Sequence, residues 1–131
     1  MKIKIVSFGF KYGDPPSGNL VFDVRFAKNP HYVPELKPLT GADPAVAIFV
    51  LQQPSSEMFL LNLQEMLWIL ISGYAEHGHD HETVTIAFGC TGGKHRSVCF
   101  ALQAKRILDE FIAQGDLEAE VAVEHRDLGR E

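Results

Sequence analysis

One stretch, residues 84–106, leaves this chain few ways to fold. Val84 to Phe88 is short, apolar and rich in β-branched residues, the pattern of a buried strand. From about Ser97 onward the chain reads as a helix. Between them lie Gly89, Cys90, Thr91, Gly92, Gly93, Lys94, His95 and Arg96. A Gly-rich turn from a strand into a helix is the α/β way of making an anion site. The free N–H groups of the first helical turn point out of the helix end, and the macrodipole favours negative charge there. Gly92 and Gly93 lack the Cβ atoms that would stop the backbone closing round a phosphate. Lys94, His95 and Arg96 add three cationic donors, and Arg96 can bind bidentately.

Three readings of this loop compete. In the plainest, the glycines make a tight turn and the basic residues are solvated. In the second, the loop is an anion cradle without chemistry. In the third it is catalytic: Cys90 and Arg96 are spaced Cys-x5-Arg and followed by Ser97, the pattern of the protein tyrosine phosphatase loop. There a thiolate attacks phosphorus while the arginine holds the phosphoryl oxygens, and a helix end lowers the thiol pKa. Asp14 or Asp23 would have to supply the acid, and no spacing secures either. The loop is not a Walker A sequence. Gly89 to Lys94 is one residue too short, and His95 stands where Ser or Thr would bind magnesium. Nor is it the dinucleotide fingerprint.

The 131 residues suit one domain, residues 1–131, with a real core. The 46% hydrophobic and 22% charged content is ordinary for a globular protein. The net charge of −5 weighs against broad nucleic-acid binding, although a basic patch around Lys94 and Arg96 could exist. The two cysteines, Cys90 and Cys99, are too few for a disulfide framework and suggest reduced thiols in a cytoplasmic setting. The amino terminus reads as a first strand, not a signal peptide. No apolar run reaches membrane-spanning length. The longest, around Met58 to Ile71, is broken by Asn62, Gln64 and Glu65, so no membrane partner is expected.

Taken in order, Lys2 to Gly9 is a strand, central by its apolar content, and Asp14 to Asn19 is a loop. Val21 to Phe26 is a short strand or extended segment on which Asp23 and Arg25 share a face. That pair is either a surface ion pair or, with Asn29 and His31, part of a site beside the Gly-rich loop. Residues 32–41 are irregular. Asp43-Pro44 is the signature of a helix start, predicting a short helix from Ala45 to Leu51, or a strand if the cap fails. Ser55 or Ser56 would cap a longer helix from about Glu57 to Glu76. That helix is apolar nearly all round, hence deeply buried or shared with a partner subunit, with Trp68 in the core. His77, His79, Asp80 and His81 have metal-ligating chemistry but no second ligand pair at standard spacing, so a solvated loop is the preferred reading. A helix from about His95 to Gln114 ends at Gly115, and 118–125 reads as a last strand. His125 and Arg126 then sit at the same sheet edge as the Gly-rich loop.

Several blocks resemble one family. Phe22-Asp23-Val24-Arg25-Phe26, Asn29-Pro30-His31, Glu35 to Gly41, Gly89 to Val98 and His125-Arg126-Asp127-Leu128 are similar, in order, to the carboxy-terminal domain of the bacterial RNase adapter protein RapZ. The resemblance implies a domain that binds a phosphorylated amino sugar, glucosamine-6-phosphate, and small regulatory RNA. It also implies oligomer assembly and a separate nucleotide-binding domain elsewhere in the protein. Carried over residue by residue, it implies a ligand site of Asp23, Arg25, Asn29, His31, Cys90, Thr91, Gly92, Gly93, His95 and Arg96. Lys94 and Ser97 lie within the same loop. The family's RNA contacts lean on a basic tail, whereas Gly129-Arg130-Glu131 is nearly neutral here.

The expectation is therefore a small three-layer α/β domain with a mainly parallel sheet and a Gly-rich strand-to-helix anion-binding loop. It would act as a regulatory binding module for a phosphorylated small molecule, as a homo-oligomer with no cofactor. The alternative is a Cys90-dependent phosphatase.

Overall fold

The structure, a computed structural model, describes residues 1–77 and 82–130. Its sheet has four strands, all parallel: β1 (Lys2–Gly9), β2 (Leu20–Asp23), β3 (Thr83–Cys90) and β4 (Glu120–His125), in the order β2-β3-β1-β4. Three helices accompany it: α1 (Pro44–Leu51), α2 (Pro54–His77) and α3 (Arg96–Ala113). This is the α/β class expected, and the sheet is parallel throughout. β1 is central as predicted and is flanked by β3 and β4.

Register explains the core. Ile3 faces Val84 and Ile5 faces Ile86 across β1 and β3, so these side chains share one face of the sheet. With Phe88, they join a cluster that includes Leu63, Leu67 and Ile71 of α2 and Phe100, Ala104 and Leu108 of α3. Each such large apolar side chain contributes about 1.5–3 kcal/mol when fully buried. The other face carries a smaller cluster of Val6, Phe8 and Ala87, with Phe10 packed on it.

Several expectations are corrected. β3 runs on to Cys90, so Cys90 ends the strand and is not a loop residue. α1 is a helix, but the Asp43 carboxylate does not cap it. That carboxylate instead accepts the Thr40 N–H (2.7 Å) and lies 3.3 Å from the Thr40 hydroxyl. α2 starts at Pro54, with Ser55 and Ser56 inside its first turn, because proline's fixed φ suits a helix start. α2 is not deeply buried: it buries Ser56, Leu63, Leu67 and Ile71, while Met58, Leu61 and Ile69 lie on the surface. Trp68 is 39% exposed and packs edge-on to Phe111, so it is not a core residue. By length and composition one 18-residue window of α2 is apolar enough to cross a membrane, contrary to the expectation that no run reaches that length. In this fold one stripe of it is spent on the core.

His77 ends α2, exposed, with Nε2 3.6 Å from a Glu76 carboxylate oxygen. The rest of the metal reading, Gly78 to His81, lies outside the described residues, as does Glu131.

Candidate functional site

Parallel strands bring their carboxyl ends to one edge, and the chain after β1, β2 and β3 meets there. The result is a cavity of about 390 Å³ lined by Lys11, Asn29, His31, Tyr32, Cys90, Thr91, Gly92, Lys94, His95 and Arg96. Ligands in open α/β sheets bind at this edge.

The Gly-rich loop is folded by direct backbone packing. Gly93 has φ +69°, which L side chains rarely adopt, and a Cβ there would stand 2.7 Å from the Gly9 nitrogen. A Cβ on Gly9 would stand 2.6 Å from the Gly92 carbonyl carbon. The end of β1 and the loop therefore touch main chain to main chain. Lys11 joins them, its N–H donating to the Thr91 carbonyl at 3.2 Å.

α3 begins at Arg96, as the strand-turn-helix reading requires, with the buried His95 at its N-cap position. Arg96 is only 5% exposed. Its Nη1 donates to the carbonyls of Arg25 (3.1 Å) and Ala27 (3.0 Å), and its Nη2 to the Thr91 hydroxyl (3.4 Å). Among the described residues its Nε has no hydrogen-bond partner and its guanidinium no carboxylate partner. Half of the guanidinium thus ties down the segment leaving β2, a role the sequence did not reveal. The other half stays beside the cavity.

The Cys90 thiol, 2% exposed, donates to the buried Ser97 hydroxyl at 3.1 Å. Burial first, and the nearby Cys90 second, push the Cys99 thiol up to about 12.

Among the predicted site residues, the cavity gathers Asn29, His31, Cys90, Thr91, Gly92, Lys94, His95 and Arg96. It does not take Asp23, Arg25, Gly93 or Ser97 into its lining. Arg25 lies on the surface, paired to Asp23 through Nε–Oδ1 (2.9 Å) and Nη2–Oδ2 (2.6 Å), with its guanidinium 4.0 Å above the Phe10 ring. The hydrogen bond from Arg25 holds the Asp23 carboxyl below its ordinary range. Gly93 packs against Gly9, and Ser97 is fully buried and accepts the Cys90 thiol. Asn29 accepts the His31 N–H at 3.1 Å and so shapes the short 3-10 turn Pro30–Tyr32 that carries His31 to the rim.

Lys11 and Tyr32 line the cavity and were missed. Lys11 could have been found from its place two residues beyond β1 on a carboxyl edge. For Tyr32, which is 82% exposed, the only signal was adjacency to His31.

A family model described as the RapZ C-terminal domain matches residues 1–129. Similar curated proteins include a nucleotide-binding protein of Mycobacterium avium, 47% identical over all of this chain and 43% of its own length. Others come from Thermobifida fusca, 47% identical over all of the chain and 42% of the relative, and Streptomyces coelicolor, 44% over all of the chain and 41% of the relative. The chain spans about two fifths of the length of these relatives.

Proposed function

The chain belongs to the RapZ C-terminal domain family, and from that premise we propose that it is a regulatory binding module for a phosphorylated small molecule. In this reading the ligand is an amino-sugar phosphate such as glucosamine-6-phosphate, the one the family resemblance implies. The observation that carries this reading is Arg96: a buried guanidinium on a cavity wall, held by neutral oxygens, with no carboxylate in ion-pair contact among the described residues, the Asp23 carboxylate feeling its charge only from further off. A buried charge with no counter-charge in contact is costly. An anion in the cavity supplies the missing partner, and Nε and Nη2 retain donors for it. Thr91, Gly92, Lys94 and His95 lie around the same space, and His31, Asn29, Lys11 and Tyr32 offer polar and aromatic groups for the remainder of the ligand. The relatives carry the name nucleotide-binding protein, and phosphate is the chemistry a nucleotide shares with a sugar phosphate. Small regulatory RNA, a separate nucleotide-binding domain and a second copy of the chain are the further partners of this reading.

The test is a thermal-shift titration with glucosamine-6-phosphate, glucosamine and inorganic phosphate. A ligand at 100 times its Kd stabilises by about 2.7 kcal/mol. The phosphosugar should stabilise most, phosphate less and glucosamine not at all. No stabilisation by either phosphate-bearing compound refutes the reading.

The Cys90–Ser97 hydrogen bond keeps a second reading in view, a phosphatase with Cys90 as nucleophile. Turnover of an aryl phosphate that vanishes in Cys90→Ser would establish it, and absence of turnover ends it.

A further inference from the structure

We infer that Asp127 is a positioning residue for the Gly-rich loop, holding it from behind through Gly9. The inference rests on the phosphate-binding reading of the cavity. Asp127 is fully buried just past the end of β4. Its Oδ2 accepts the Gly9 N–H at 2.7 Å. Arg126 holds the same carboxylate, with Nε 3.1 and 3.2 Å from its two oxygens and Nη2 2.9 Å from Oδ2. Arg126 Nη2 also donates to the Gly9 carbonyl (3.4 Å), and its Nη1 to the Asp14 carbonyl (2.7 Å). Both polar groups of Gly9 are therefore fixed by side chains from the end of the chain.

Gly9 in turn backs the loop with no side chain between them. Positions for a Cβ on Gly93 fall 2.7 Å from the Gly9 nitrogen and 3.0 Å from the Asp127 Cβ. Asp127, Gly9 and Gly92-Gly93 form one continuous stack whose far side is the cavity. A displacement of Gly9 passes directly into the loop, because there are no flexible side-chain atoms to absorb it.

The charges fit this role. A lone carboxylate behind an anion cradle would repel the anion. Here one carboxylate faces two guanidinium groups, since Arg130 Nε lies 3.5 Å from Oδ1, and the cluster is net positive. The carboxylate can then serve as a fixed acceptor without weakening the site electrostatically.

The experiment compares Asp127→Ala, Asp127→Asn and a remote core control, Leu117→Ala. Two quantities are read: affinity for glucosamine-6-phosphate and inorganic phosphate by calorimetry, and amide hydrogen exchange at Gly92 and Gly93 in the ligand-free protein by NMR. Asp127→Ala should weaken binding and speed exchange at both glycines by about tenfold, the equivalent of one charge-assisted hydrogen bond. Asp127→Asn keeps an acceptor for Gly9 and should recover most of both. Leu117→Ala should lower the melting temperature yet leave both readings native. Native exchange and affinity in Asp127→Ala overturn the inference, as does the same loss in Leu117→Ala. If the unsubstituted protein binds neither probe, the phosphate reading falls, and exchange at Gly92 and Gly93 alone decides the role of Asp127. If Asp127→Ala does not fold, Arg126→Ala, which frees the Gly9 carbonyl, takes its place with the same expected pattern.

Discussion

Replacing Arg96 by alanine should destabilise the ligand-free domain as well as its complex. The two carbonyls that Arg96 holds differ in environment. The bond to Ala27 is buried, and the bond to Arg25 is partly buried. A hydrogen bond to a charged group is worth about 1.5–3 kcal/mol, and a buried acceptor left alone costs about 1–3 kcal/mol. Water can replace the guanidinium at the Arg25 carbonyl but not readily at Ala27. Against this, removing a guanidinium with no carboxylate partner relieves a desolvation cost. That relief is partial, because the group forms part of the wall of a cavity of about 390 Å³ that water can enter. The loss should win by about 2–3 kcal/mol. For a domain of this size that is roughly 6–15 °C in melting temperature. Arg96→Lys, whose single ammonium cannot serve both carbonyls and Thr91, should fall between. The assay is urea unfolding and thermal denaturation without ligand, followed by the same scans with glucosamine-6-phosphate. An unchanged or raised melting temperature in Arg96→Ala would refute the strut argument and mean that desolvation relief dominates. A lowered temperature with the ligand increment intact would mean that Arg96 supports the site without touching the ligand.

Two further predictions follow from the titratable groups. Burial holds the His125 imidazole below its ordinary 6.5, so the unfolded chain binds that proton more readily than the folded one. Its contribution to stability is complete above pH 6.5 and is lost as pH falls through the folded pKa. Asp23 and Asp127, held below 3.8, lose theirs only further down. Urea unfolding between about pH 7.5 and about pH 5 should show a decline that His125→Gln removes, and a flat profile for the unsubstituted protein would contradict this. The Cys99 thiol, pushed up to about 12, is ~10⁻⁴ ionised at about pH 8. Iodoacetamide should therefore leave Cys99 unlabelled in the folded protein and label it only after unfolding in urea; label on Cys99 in mass spectra of the folded protein would count against it.

The fold was legible where local signals were strong. Apolar alternation marked β1 and β4, and the strand-turn-helix pattern at 84–106 gave both β3 and α3. Gly115, at φ +80°, ends α3 as read. Of the two readings of α2, deep burial failed because composition says how apolar the helix is but not which stripe meets the core. The candidate site was legible as residue types and far less as geometry. Arg96 looked like a free anion ligand because the carbonyls it holds, at Arg25 and Ala27, lie about seventy positions away in sequence. Asp23 and Arg25 satisfy each other locally and turn to solvent, which alternation along a strand cannot distinguish from turning into a pocket. Tyr32 and Lys11 carried only positional signals, adjacency to His31 and a place just past the carboxyl end of β1.

The contact of Gly9 with Gly92 and Gly93 has a consequence for how such a site can change. The turn that backs the phosphate part of the cavity is main chain wedged against main chain, and positions 9 and 93 leave no room for a side chain. Those two positions are closed to alteration by substitution. Selectivity has to be written in the residues around it, at Lys11, His31 and Tyr32, whose side chains face open space on the rim. A library confined to those three positions would vary what the cavity chooses while leaving intact how it grips, and the same separation is open to natural variation.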